Sequence, residues 1–74
     1  MIRAYILVIV EQGIGSKIAA ELIKEKEVKD VEIVYGEYDM VVKVELPSMD
    51  ALKEFITRMR HHKDIKRTAT MIAV

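Results

Sequence analysis

"VYGEYDMVVKVELPSMDALKEFITRM" runs from Val34 to Met59, and the order of its parts decides how the whole chain is read. Val31 to Tyr35 forms a short apolar run that ends in Gly36 and Glu37, a turn signal. Tyr38 to Leu46 alternates apolar and polar residues with the period of a strand. Pro47 then stops the strand, and Ser48 is a good helix N-cap. Asp50 sits in the first turn, where the helix dipole favours an acid. Met49, Leu52, Phe55, Ile56 and Met59 make one apolar stripe, and Arg58, Arg60, His61, His62 and Lys63 gather at the far end. The stretch therefore reads strand, tight turn, strand, helix.

Working outward, Ile2 to Glu11 is rich in Ile, Val and Tyr and ends at Gln12-Gly13-Ile14-Gly15, a strand followed by a glycine-marked turn. Ser16 to Glu27 carries Ile18, Ala19, Leu22 and Ile23 at helical spacing. Ile65 to Val74 is the last strand. The order βαββαβ is the split βαβ, or ferredoxin-like, pattern. It predicts an α+β domain over 1–74: a four-stranded antiparallel sheet with two helices on one face.

Alternation along the strands leaves a second apolar face. Tyr5, Leu7, Ile9, Val34, Val41, Ile72 and Val74 are read onto the side that the helices leave bare. Such a face marks an interface, so sheet-to-sheet or edge-to-edge dimerisation is expected, an association of the dimeric α+β-barrel type. The length agrees. A chain of 74 residues is one domain near the limit of a self-sufficient core, and it has no cysteine to cross-link it.

Several functions are disfavoured. Twelve basic and twelve acidic residues balance, so direct DNA binding by bulk charge is not expected. No apolar run is long enough to span a bilayer, and the apolar start lacks a cleavage signal. The expectation is a cytoplasmic protein with no membrane attachment. Asn is absent and Gln occurs once, a composition that leans towards a thermophile. His61 and His62 point about 100° apart on a helix and do not form a metal pair by themselves. "EQGIGSK" (Glu11 to Lys17) lacks the spacing of a phosphate loop or a dinucleotide fingerprint. No catalytic set, metal site or cofactor motif is present, so the chain is not read as an enzyme.

The turn itself is the candidate site. Gly36 suits positive φ and Asp39 suits hydrogen bonds to turn amides, yet two tyrosines, Tyr35 and Tyr38, flank the same turn. These residues, with "IKRTATMIAV" (Ile65 to Val74), resemble the RAM domain, the ligand-sensing half of Lrp/AsnC-type (feast/famine) transcriptional regulators. Gly36, Tyr38, Asp39, Thr68 and Thr70 match its pattern. Tyr35 replaces a small hydroxyl residue common there, and Lys63-Asp64 replaces Pro-Gly. The helix-turn-helix domain of those regulators is not seen, so a stand-alone RAM domain is expected.

The resemblance implies homodimers, rings of dimers, and an amino-acid effector held between dimers. It also implies action on transcription through co-assembly with full-length regulators. On that reading the ligand site is Gly36, Glu37, Tyr38 and Asp39, with Thr68 and Thr70 contributed from a neighbouring strand or subunit. Asp39 would pair with the ligand ammonium and the amides around Gly36 would take its carboxylate. Two alternatives stay open: an ACT-like module with its site at Gly13–Ser16, and a small dimeric α+β-barrel enzyme using His61 or His62.

Overall fold

The computed structural model describes residues 1–74. The elements follow the order β1 (Ile2–Val10), α1 (Gly15–Leu22), β2 (Val28–Ile33), β3 (Met40–Leu46), α2 (Met49–Arg60) and β4 (Ile65–Ile72). The strands form one sheet in the order β2-β3-β1-β4, with every neighbouring pair antiparallel. This is the expected ferredoxin-like α+β fold. Neither helix is long and apolar enough to cross a membrane.

Alternation builds the core. Ala4, Ile6, Val8 and Val10 of β1 and Met40, Val42, Val44 and Leu46 of β3 all point to the helices and are buried. Ile18 and Leu22 of α1, four residues apart, and Leu52, Phe55 and Met59 of α2 close over them. Met49, at the head of the expected stripe, stays exposed. Helix α2 starts as read: Ser48 Oγ accepts the Ala51 amide at 3.1 Å, with Asp50 in the first turn and Arg58 and Arg60 in the last.

Three expectations need correction. Helix α1 ends at Leu22, not Glu27, and β2 begins at Val28, not Val31. Val28 is buried against the core and pairs with Val44, and the chain must leave the helix early to bring it there. The β2–β3 connection is also longer than a two-residue turn. It runs from Val34 to Asp39 and is closed by the Val34 amide donating to Asp39 O at 2.9 Å.

The third correction concerns β4. Ile72 pairs with Ala4, Thr70 with Ile6 and Thr68 with Val8, so all three lie on the helix side of the sheet. Val74 lies beyond the strand end. The bare face carries Ala69 opposite Leu7 and Met71 opposite Tyr5 instead. The cause is a bulge between Ile9 and Val10. One extra residue on β4 inverts which side chains face the helices.

Candidate functional site

Asp39 is fixed by β1. Its amide donates to Val8 O at 2.9 Å, and its Oδ2 accepts the Val10 amide at 2.9 Å. Alternation along β1 points the Val10 amide, like the Val8 carbonyl two residues earlier, towards the β3 side, beyond the Met40 end of that strand. The carboxylate receives it there and carries the β1–β3 ladder one step past Met40. Its other oxygen has no hydrogen-bond partner in the protein. The aspartate therefore has a structural task and retains a free acceptor.

The turn before it is open. Gly36 has φ +136° with nothing within 4 Å of an added Cβ. The amides of Tyr35, Gly36, Glu37 and Tyr38 donate to no group in the protein. Tyr35 is fully exposed, whereas Tyr38 is half-buried. A run of unpaired amides beside a half-used carboxylate offers donors and an acceptor within one short segment.

Asp39 lies in a cleft of about 530 Å³. The β1–α1 turn forms one wall with Gln12, Gly13 and Gly15, and the end of β2 forms another with Ile33, Val34 and Tyr35. Val10 floors it, and Glu11 and Lys66 add one charge of each sign. Of the Gly36–Asp39 turn only Asp39 lines this cavity, where it meets the Gly13 turn; Gly36, Glu37 and Tyr38 lie outside its lining. Lys66 was not legible from the pattern. It stands at the β4 bulge and reaches the cleft only through the register of β1 and β4.

The sequence-expected set does not converge within one chain. Thr68 and Thr70 lie on the α2 side of β4, where Arg60 Nε donates to Thr68 Oγ1 at 3.3 Å. They line a separate shallow depression with Lys53, Thr57 and Arg60. His62 is not a free surface residue either. Its Nε2 lies 3.0 Å from Glu21 Oε1, and its Nδ1 accepts the Asp64 amide at 3.1 Å. The amide bond fixes the proton on Nε2, which donates to Glu21. This holds Glu21 below its ordinary carboxylate pKa, chiefly through that hydrogen bond, which outweighs a smaller opposing effect of desolvation, with Lys17 and Lys24 adding to the lowering. His61 bonds its own helix, with Nδ1 2.9 Å from Thr57 O, so the two rings do not converge.

Comparison with known proteins places this geometry. Residues 3–74 match the family model described as the Lrp/AsnC ligand binding domain. A curated relative, the HTH-type transcriptional regulator FL11 of Pyrococcus furiosus, is 34% identical over 73 residues, covering 99% of this chain and 48% of the relative. The chain spans about half the length of the curated relatives it matches. Those relatives are transcriptional regulators rather than enzymes. Two solved structures share 40% identity. FFRP-DM1 has a TM-score of 0.97, with both chains covered completely. Hypothetical protein PHS023 from Pyrococcus horikoshii has a TM-score of 0.95, with all of this chain and 90% of that one covered.

Proposed function

The chain belongs to the Lrp/AsnC ligand-binding domain family, and from that premise we propose that it senses a free amino acid in the cytoplasm. It would act on transcription through assembly with itself and with full-length regulators. One observation carries the reading: the cleft joins a half-used carboxylate to an apolar wall that ends in Tyr35, the first of the run of unpaired turn amides. An α-amino acid is a zwitterion with a side chain. Its ammonium suits Asp39 and its carboxylate suits the amides from Gly36 to Tyr38 or the ammonium of Lys66. The wall of Ile33, Val34 and Tyr35 suits an apolar side chain. Glu37 is exposed on the same turn and lends it negative charge.

Thr68 and Thr70 enter this reading only by meeting the cleft of another subunit. A second copy is expected over the bare sheet face, whose centre is Tyr5, Leu7, Ile9, Val41 and Ala69. A dimer so formed leaves the clefts free to meet other dimers.

The experiment is a thermal-shift screen of the twenty amino acids, followed by calorimetry on any that act. A ligand that binds only the folded form raises the melting temperature by mass action. A small set of amino acids with apolar side chains is expected to do so. If none shifts the transition and none gives heat at concentrations that preserve the oligomer, the sensing role is rejected.

A further inference from the structure

Two neighbouring cavities between α2 and β4 share one chemistry. The first, of about 310 Å³, is lined by Arg60, Ile65, Lys66, Arg67 and Thr68. The second, of about 500 Å³, is the depression around Lys53, Thr57 and Thr70. Arg60 and Thr68 belong to both linings, so the two form one groove. Lys53, Arg60, Lys66 and Arg67 line it, and no acid does. In a chain whose charges balance, this is a local separation of charge rather than a property of the whole surface.

The fold gives reasons for the placement. On α2, Lys53, Thr57 and Arg60 are spaced four and three residues apart and lie along one stripe. That stripe runs beside the buried one of Leu52, Phe55 and Met59. Strand β4 is an outer strand. Its irregular pairing opposite Ile9 and Val10 sets two consecutive cations, Lys66 and Arg67, between Ile65 and Thr68, which pair with Val10 and Val8 on the helix side. Buried Ile65 floors the first cavity.

The hydrogen bonds leave donors over. Arg60 Nε donates to Thr68 Oγ1 at 3.3 Å. This bond holds the guanidinium over β4 and leaves its two Nη groups without an acceptor in the protein. The Thr68 hydroxyl hydrogen stays free to donate. Neither Arg60, Lys66 nor Arg67 pairs with a carboxylate of the chain. Glu11 and Asp39 share only the ligand cleft with Lys66, and Asp64, close by in sequence, does not line the groove.

Donors without acceptors suit an anion. A single carboxylate is satisfied by one guanidinium in a two-point pair. Two guanidiniums, an ammonium and a hydroxyl around one cavity suit a group with more charge and more oxygens, a phosphate or a pyrophosphate. The second cavity adds the hydroxyls of Thr57 and Thr70 and the apolar side chains of Ile56 and Ala69, which suit the organic body of a phosphorylated metabolite. A nucleic-acid strand is disfavoured by the balanced charge and by the confinement of the cations to one short groove.

We propose that the groove between α2 and β4 binds a phosphoryl anion, free or carried on a small metabolite, with its oxygens on Arg60, Lys66, Arg67 and Thr68. The site is separate from the Asp39 cleft and meets it only at Lys66, which lines both. It gives Thr68 and Thr70 a role within a single chain and does not rest on amino-acid sensing.

The test is calorimetry at low salt with inorganic pyrophosphate, on the wild type and on Arg60→Gln/Arg67→Gln. The wild type is expected to give saturable heat, and the double variant to bind at least about tenfold more weakly. A control, Lys17→Gln/Lys29→Gln, removes two exposed cations elsewhere and is expected to bind as the wild type does. ADP in place of pyrophosphate separates the sources: tighter binding assigns a phosphorylated metabolite, and equal or weaker binding a free inorganic anion. No heat with the wild type overturns the proposal. So does unchanged binding in the double variant, or equal weakening in the control, which would mark a general effect of charge. Light scattering is read on the same proteins, and a double variant that loses oligomer mass together with pyrophosphate also overturns it, because the arginines would then serve contacts between copies. If circular dichroism shows the double variant unfolded, each single change is read in its place. Neither arginine lines the Asp39 cleft, so amino-acid sensing fails or holds on its own calorimetry.

Discussion

Asp39 has one oxygen committed to the Val10 amide and, in the proposed function, the other offered to a ligand ammonium; two substitutions separate the two. Asp39→Ala removes the acceptor of the Val10 amide. Leaving a partly buried donor unpaired costs about 1–3 kcal/mol, so urea unfolding should shift by that amount. The strand pattern alone gives no reason for this cost, because alternation places Asp39 on the bare face and says nothing of the Val10 amide that its side chain receives. Asp39→Asn keeps a carbonyl oxygen for Val10 and removes the charge. Its stability should stay near that of the wild type, while the ligand ammonium loses its counter-charge. In a dry site that loss is about 2–5 kcal/mol, enough to take a micromolar ligand out of calorimetric range. Wild-type affinity in Asp39→Asn would reject the ammonium pair, and wild-type stability in Asp39→Ala would reject the strut. Gly36→Val tests the turn beside it. Space is open around Gly36, but φ is +136°, a region closed to β-branched residues. The expected cost is about 1–3 kcal/mol, and a chemical-denaturation midpoint equal to the wild type would contradict it.

The elements differ in how much of their reason is local. Helix α2 was legible because cap, first-turn acid, apolar stripe and terminal bases all agree. Strands β1 and β3 were legible from alternation. Helix α1 has no side-chain cap, no acid in its first turn and no base in its last. Its end is set by the pairing of Val28 with Val44, which no local signal announces. The faces of β4 were misread for a similar reason, since a bulge is a property of two strands. Lys66 was missed as a cleft residue on the same account. Tertiary ties hold α1 and the connection after it: His62 reaches Glu21 of the helix at 3.0 Å, and Arg58 reaches Glu25 at 3.0 Å and Glu27 at 3.4 Å in the α1–β2 connection. The Glu21–His62 tie has a pH signature. Glu21 titrates below its ordinary 4.5 in the folded chain. A depressed carboxylate contributes stability that is complete above the unfolded value and is lost as pH falls through the folded one. Stability should therefore decline as pH drops below about 4.5, and His62→Ala should flatten part of that slope. Urea melts across the acid range give the comparison. Identical slopes in the two proteins would remove His62 from the account.

At the scale of the whole molecule the sheet has one face covered by the helices and one that they leave bare. Ile6 and Leu7 are neighbours on β1 and point to opposite sides. Ile6 has no exposed surface and sits in the core. Leu7 is half-buried, between Val41 and Ala69 at the centre of the bare face. If a second copy covers that face, Leu7 is interior in the dimer and at the surface in the separated chain. An aspartate there costs the dimer several kcal/mol, because a charge is buried without a partner. It costs the separated chain only a strand preference of about 1 kcal/mol. Leu7→Asp should therefore yield a monomer with near-native circular dichroism. Ile6→Asp should unfold outright, since the charge enters the core itself. Sedimentation equilibrium at micromolar concentration, paired with circular dichroism, reads both. A wild type that sediments as a monomer would end the face-to-face model. A Leu7→Asp chain that remains dimeric would move the interface off this face, and the lost burial would then have to be found at the sheet edges or on the helices.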